Sequence, residues 1–312
     1  MSLLNKMSQY LGIRELELRE FIKIAPVSYK LFYIDKVNGT KRAIYQPSQT
    51  TKSLQYALIN ILFNKLKVHS SAHAYIKNKI SPLKQNALIH SKYRFSIRFD
   101  FKDFFYSIRE RDVIETLSEN ALLDSADDEM IINNCCFISR NHQKCLAIGS
   151  PSSPILSNAV MYHFDDYCHR IAVANGSEYT RYADDIVFSY DKKERHKTFF
   201  ENLNTYLDKV VFPKLIINKN KTLYMSKKNK RKITGLVITS DGKVSIGRDK
   251  KKYIKSLIFR HLNSELNTEE INYLSGYLAY IQDVEPSFID SLCLKYKSEV
   301  VNDLIKRPKL TR

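Results

Sequence analysis

The sequence predicts an α+β fold built around an antiparallel sheet. Three observations carry this expectation. Strand-like and helix-like runs alternate irregularly rather than in strict βαβ order, two β-prone runs mid-chain flank a pair of acids, and everything from Lys250 onward has a helical pattern.

Taken in order, Leu54, Leu58, Ile61, Leu62 and Leu66 recur at helical spacing over 54–67. Residues 94–100 alternate instead, with Phe95, Ile97 and Phe99 on one parity and Ser96, Arg98 and Asp100 on the other. That pattern predicts a half-buried strand whose polar face ends in a carboxylate. Pro151-Ser152-Ser153-Pro154 suits a helix start, and Leu156, Ala159, Val160, Phe164, Tyr167 and Ile171 predict one helix over 155–171. Residues 179–182 and 186–190 are β-prone around Ala183-Asp184-Asp185, a hairpin with acids at its tip. Phe199, Phe200, Leu203, Tyr206, Leu207 and Val210 mark another helix; two β-prone runs, 232–239 and 244–246, then flank the Asp241-Gly242 turn.

With 44% apolar, 27% charged and 12% aromatic residues, the 312-residue chain is too hydrophobic for disorder, and no apolar run is long enough to span a bilayer. The first twenty positions carry Arg14, Glu15, Glu17, Arg19 and Glu20 among their apolar residues, unlike a secretory signal, so a cytoplasmic protein without membrane contact is expected. The five cysteines form no C-x-x-C pair and are expected as buried, reduced thiols. Gly and Pro number only 8 each, no Gly/Ser- or Pro-rich linker or internal repeat occurs, and the parts are expected to pack directly together.

The net charge is +17, and +13 of it lies between Lys214 and His261, where fifteen Lys and Arg face only Asp241 and Asp249. Such a concentration repels itself unless a polyanion shares the surface, and Tyr224, Tyr253 and Phe259 are interleaved as ribose or base platforms. Nucleic acid is the expected partner, with a merely solvated basic face as the alternative.

Two tandem acid pairs compete as metal sites. Asp165-Asp166 lies near His163 and His169, but helix phase turns Phe164, Tyr167 and Ile171 inward, so a solvated helix face is the expectation there. Asp184-Asp185 at a hairpin tip repel each other, for which a hard divalent cation is the usual remedy. Asp100 ends its own strand 84 residues earlier. If that strand lies beside the hairpin, three carboxylates converge and could hold two Mg²⁺ ions about 4 Å apart, suited to phosphoryl transfer.

These residues carry a resemblance. Tyr182-Ala183-Asp184-Asp185 resembles the Y-x-D-D box of reverse transcriptases. The family's other elements follow in order: Arg42-Ala43-Ile44-Tyr45-Gln46-Pro47, Asp100-Phe101-Lys102-Asp103-Phe104-Phe105, Gly149-Ser150-Pro151-Ser152-Ser153-Pro154 with Asn158, and Asn218-Lys219-Asn220-Lys221-Thr222. Asn86-Ala87-Leu88-Ile89-His90 matches an N-A-x-x-H box, and Ile233-Thr234-Gly235 is similar to a V-T-G box; both narrow the likeness to bacterial retron reverse transcriptases.

The resemblance implies a right-hand polymerase with N-terminal helices and fingers over 1–92, a palm over 93–240 that includes part of the fingers around 125–150, and a thumb over 241–312. It implies Asp100, Asp184 and Asp185 as catalytic, metal-binding acids, with the Phe101 carbonyl as a further ligand. Lys41, Arg42, Asp103, Phe105, Gly149 and Lys221 would bind nucleotide: Arg42 and Lys41 at the triphosphate, Phe105 as a gate against the ribose 2′-hydroxyl, Lys221 as a proton donor to pyrophosphate. Gly149 would allow close approach of nucleotide or template. Many relatives have Gln before this glycine, where this chain has Ile148. Asn86, His90, Lys228, Lys230, Arg231, Lys232, Arg248, Lys251, Lys252 and Lys255 would bind nucleic acid, with helix capping and packing the alternative for Asn86 and His90.

The implied activity is RNA-templated DNA synthesis on the protein's own structured noncoding RNA. Priming from a guanosine 2′-hydroxyl would give a branched RNA–DNA hybrid (msDNA) within an antiphage system whose effector or toxin is a separate chain. Two other readings stay open: an RNA-binding scaffold that restrains a toxin, and a group II intron-like or diversity-generating reverse transcriptase.

Overall fold

The computed structural model describes residues 1–36, 39–76, 81–210 and 213–307. The chain forms two compact units, one of Met1–Tyr75, Phe99–Ile186 and Glu194–Thr222, the other of Ile76–Arg98, Val187–Lys193 and Leu223–Arg312. Positions 37–38, 77–80, 211–212 and 308–312 of the expected fingers, palm and thumb lie outside the described residues.

Among the described residues the strands are β1 (Tyr29–Asp35), β2 (Lys41–Pro47), β3 (Phe95–Asp100), β4 (Phe137–Arg140), β5 (Gln143–Leu146), β6 (Glu178–Tyr182), β7 (Asp185–Tyr190), β8 (Leu223–Ser226), β9 (Arg231–Ile233), β10 (Leu236–Ile238) and β11 (Val244–Ser245). The principal sheet has the order β6-β7-β3-β8, with two hairpins, β1-β2 and β4-β5, and a small sheet ordered β11-β10-β9.

In the first unit the helix Leu3–Leu11 is capped by Ser2, whose hydroxyl accepts from the Asn5 amide at 3.2 Å, and is closed by Gly12 at φ +67°. Helices Glu15–Ile24, Gln49–Ile61 and Ala126–Cys136 pack together, burying Leu18, Leu58 and Ile131. The β1-β2 hairpin pairs antiparallel from Tyr29↔Pro47 to Asp35↔Lys41. Between β4 and β5, Asn141 and His142 both take positive φ, +50° and +59°, as a two-residue hairpin loop with right-handed strand twist demands. The single helix expected over 155–171 is two helices, Ser153–Val160 and Tyr162–Ala174, parted at Met161.

In the second unit β3 pairs antiparallel with β8 from Phe95↔Ser226 to Arg98↔Leu223. Most of the polar parity of β3 is covered: Asp100 is buried, Arg98 half-buried, and Ser96 is fully buried, its hydroxyl accepting from Ser189 Oγ at 2.8 Å. The run expected as one strand over 232–239 folds back at Thr234 and Gly235, whose φ values of +47° and +86° make the turn between β9 and β10. Helices Arg248–Leu262, Thr268–Val284, Pro286–Tyr296 and Ser298–Lys306 follow, and Leu236, Ile254, Leu257, Leu278, Ile281 and Leu292 meet in this unit's core.

Four of the five cysteines are buried, and no helix among the described residues is long and apolar enough to cross a membrane.

Candidate active site

The site begins where β3 ends. The Asp100 carbonyl accepts from the Asn218 amide at 2.8 Å, and the Lys102 amide donates to the Ile216 carbonyl at 2.8 Å. These bonds lay 216–218 beside the strand end, and the short 3₁₀ turn Lys219–Lys221 then brings Lys221 back over it. Lys221 Nζ donates to Asp100 Oδ2 at 2.5 Å. The other carboxylate oxygen, Asp100 Oδ1, is buried with no hydrogen-bond partner.

Asp184 sits in the β6–β7 turn, after Ala183 at φ +58°. A fully buried arginine holds this turn. Arg181 grips Asp165 with two prongs, Nε to Oδ1 at 2.8 Å and Nη2 to Oδ2 at 2.6 Å; its Nη1 donates to the Ala183 carbonyl at 3.0 Å and to Asn158 Oδ1 at 3.1 Å. Tyr179 adds a hydroxyl bond to Asp165 Oδ1 at 2.7 Å. Burial opposes the Arg181 charge, but Asp165 outweighs it and keeps the guanidinium above its usual pKa. Asp165 is therefore not on a solvated helix face: facing inward, it pairs with Arg181, while the half-buried Asp166 pairs with Arg170 at 3.0 Å. From the sequence, Arg181 was missed, Asp165 was placed on a solvated face and Asn158 was given no role. The available signal was a charged residue inside a β-prone run, since a buried charge needs a partner.

Burial raises the Asp184 pKa, and the negative charge of Asp100 raises it further, while Lys221 and Arg42 act the other way. The two aspartates thus share one field, with two cations around them. Asp185 follows as the half-buried first residue of β7, and among the described residues no group of three or more His, Cys, Asp or Glu is arranged to hold a metal ion. An Asp184 carboxyl whose proton affinity the neighbouring Asp100 raises, beside an Asp100 with an orphaned buried oxygen, fits a hard cation that takes oxygen ligands.

Around this pair Lys41 and Arg42 open β2, exposed. Gly149 has φ +113°, and a Cβ there would lie 2.8 Å from the Tyr45 carbonyl oxygen. The close approach it permits is to the β2 backbone, a partner not anticipated from the sequence. Ile148, in place of Gln, still accepts from the Tyr45 amide through its carbonyl at 2.9 Å. Asp103 is exposed in the left-handed region at φ +49° and starts the turn Phe104–Ser107. There Phe105 meets Phe104 edge-on at 5.4 Å.

The basic segment divides. Lys228, Lys230, Lys232, Arg248 and Lys252 are exposed, although Lys230 pairs weakly with Asp249 at 3.4 Å. Arg231 is buried, donating to the carbonyls of Tyr93 (2.6 Å), His90 (3.3 Å) and Ser91 (3.3 Å). Its assignment to nucleic acid is corrected: it fastens the end of helix Pro82–Ile89. Asn86 and His90 are likewise wholly buried and offer no surface to a nucleic acid. Lys251 is committed to Glu285 at 2.5 Å, and Lys255 lies 5.6 Å over the Phe288 ring.

A strand-end carboxylate and a turn carboxylate in one field, with Lys221 and Arg42 around them, can serve the chemistry of phosphoryl transfer. The family profile described as "Reverse transcriptase (RNA-dependent DNA polymerase)" matches residues 34–238. The Retron Ec83 reverse transcriptase of Escherichia coli is 32% identical over 282 residues, covering 89% of this chain and 90% of its own. The Retron Ec73 reverse transcriptase of Escherichia coli is 34% identical over 295 residues, covering 88% and 89%. A solved telomerase from Candida albicans, in complex with a TWJ fragment of telomeric RNA, aligns with TM-score 0.48 and 11% identity over 91% of this chain and 66% of that one. The chain belongs to the retron reverse transcriptases, and so to the RNA-directed DNA polymerases of α+β, right-hand fold.

Proposed function

We propose that this polymerase reverse-transcribes its own structured noncoding RNA, starting from the 2′-hydroxyl of an internal guanosine, and leaves a branched RNA–DNA product. The observation that carries the chemistry is the Asp100–Asp184 pair with its orphaned oxygen. Asp100 and Asp184, with Asp185 and the Phe101 carbonyl in support, would hold two Mg²⁺ ions. When bound, these supply a more acidic attacking hydroxyl and a stabilised pyrophosphate leaving group.

The chain's own residues do the rest. Arg42, with Lys41, binds the triphosphate by charge-assisted hydrogen bonds. Lys221, already drawn to Asp100, donates a proton to the departing pyrophosphate. Asp103 lines the nucleotide's approach, and the Phe105 ring excludes a 2′-hydroxyl. Fingers over 1–92, palm over 93–240 and thumb over 241–312 divide the labour. The exposed lysines and arginines between Lys228 and Lys255 track the phosphates of the RNA and the growing hybrid, reading A-form shape rather than sequence. The named relatives are retron enzymes, which supports a place in an antiphage system with a separate effector chain.

Co-expression with the structured RNA encoded beside its gene tests the reading. The expected product is DNA whose 5′ end is joined to RNA through a 2′–5′ phosphodiester, sensitive to a debranching enzyme and absent with Asp100→Asn. Linear, debranching-resistant DNA would overturn the priming mode, and synthesis by Asp100→Asn would overturn the acid assignment.

A further inference from the structure

Tyr75 stands out on backbone grounds. Its φ is +62°, in a region that bulky side chains rarely enter. The segment before it is pinned: the Ala74 carbonyl accepts from Asn158 Nδ2 at 2.8 Å, the His73 amide donates to the Arg181 carbonyl at 2.8 Å, and Ala72 bridges to Arg181 in parallel. Those same two residues, Asn158 and Arg181, bond each other, and Arg181 also holds the Ala183 carbonyl. Tyr75, one residue past Ala74, and Asp184, one residue past Ala183, therefore hang from a single buried clamp.

The unusual conformation does not serve the core, because Tyr75 remains 50% exposed. Its hydroxyl is made less acidic first by burial and then by the charge of Asp184, while Arg181 and Arg42 act in the opposite direction. The residue thus shares the surroundings of the catalytic carboxylate and of the arginine assigned to the triphosphate. A partly open aromatic ring, fixed at such a place by its neighbours' hydrogen bonds, is prepared for stacking, and strained backbone at functional sites commonly presents a side chain to a ligand.

We infer that Tyr75 is a contact residue for the incoming deoxynucleotide, its ring forming a platform for the nucleobase. The incoming nucleotide is favoured over the templating base because both charged neighbours, Arg42 and Asp184, act on a nucleotide's phosphate end. The inference rests on the polymerase reading above, and it adds a side chain that none of the sequence motifs contains.

The test measures dNTP KM and kcat for extension of a primed RNA, affinity for that RNA, and melting temperature, in the parent, Tyr75→Phe, Tyr75→Ala and Tyr75→Gly. Tyr75→Phe keeps the ring, and its KM is expected within about twofold of the parent. Tyr75→Ala is expected to raise KM roughly tenfold with RNA affinity unchanged, in line with the loss of one base–aromatic stack. Tyr75→Gly should raise KM as much while raising the melting temperature, since glycine accepts the positive φ freely. That opposition between stability and binding is not what a packing residue would give. An unchanged KM in both truncations overturns the inference. An unchanged KM with weakened RNA affinity also overturns it, moving the ring to the template strand. The parent's own extension reports on the polymerase reading, whereas the variant-to-parent ratio reports on Tyr75, so the two fail separately.

Discussion

Arg181 and Asp165 form a two-pronged ion pair with both side chains at zero exposure, and the remaining Arg181 nitrogen holds the carbonyl of Ala183, next to Asp184. The pair therefore sets the place of Asp184, the proposed catalytic acid, without touching it. Arg181→Lys cannot span Asp165, Asn158 and Ala183 together, and kcat is expected to fall at least about tenfold, as a displacement near 1 Å can cost more than that. Stability also falls, so Leu18→Ala, a buried truncation in a distant helix costing roughly 2–5 kcal/mol, serves as the matched control. Its folded fraction should keep the parental kcat. If kcat follows melting temperature equally in both variants, Arg181 does not position the turn.

Asp184 carries a built-in instability. Its pKa is raised in the folded protein, so at neutral pH the ionised folded state is disfavoured relative to the unfolded chain. This cost sets in above the ordinary carboxylate pKa and is relieved as pH falls through the folded value. Asp184→Asn should therefore melt higher than the parent at pH 7 without divalent cation, yet extend no primer. Mg²⁺ should raise the parent's melting temperature and leave that of the variant nearly unchanged; an equal Mg²⁺ response in both would place the cation elsewhere.

Asp112 gives a cleaner pH signature. Burial lifts its pKa from 3.8 to about 6, against the Arg109 amide bond at 2.7 Å and the Arg111 charge. Between those two values the folded state holds the extra proton, so stability declines as pH rises across the window, by on the order of 3 kcal/mol in full. Asp112→Asn, which can still accept from Arg109, is expected to flatten the urea midpoint between pH 4 and 7. A variant with the parental slope would show that another group governs it.

The basic segment should separate into two kinds of residue. Replacing Lys228, Lys230 and Lys232 together by Gln should weaken RNA binding and reduce the salt slope by about 2–3, with little change in melting temperature. Arg231→Gln should do the reverse, leaving three carbonyls of 90–93 short of a buried donor and lowering stability by about 2–4 kcal/mol. Filter binding across a salt series, with a thermal melt of each variant, distinguishes them.

The parts legible in the sequence were those that announce themselves locally. Asp184 lies between two β-prone runs, and Asp100 closes an alternating one, so both were found as strand-end acids. The clamp beneath them was hidden because its members belong to three elements, and helix phase cannot tell a polar residue facing solvent from one facing a buried partner, as Asp165 shows. A charge count was blind in the same way to Arg231, whose nitrogens are spent on backbone carbonyls. The turn at Thr234 and Gly235 was overlooked because a threonine at positive φ defies local propensity and is fixed by the strands it joins.

Gly149 carries a consequence for how this protein can diverge. The space its missing Cβ leaves is taken by the Tyr45 carbonyl, in the strand that begins with Lys41 and Arg42. The loop and the hairpin are thus bound to drift in step: any side chain acquired at 149 levers the strand outward and moves Lys41 and Arg42, the residues proposed to bind triphosphate. Descendants that retune one must repair the other.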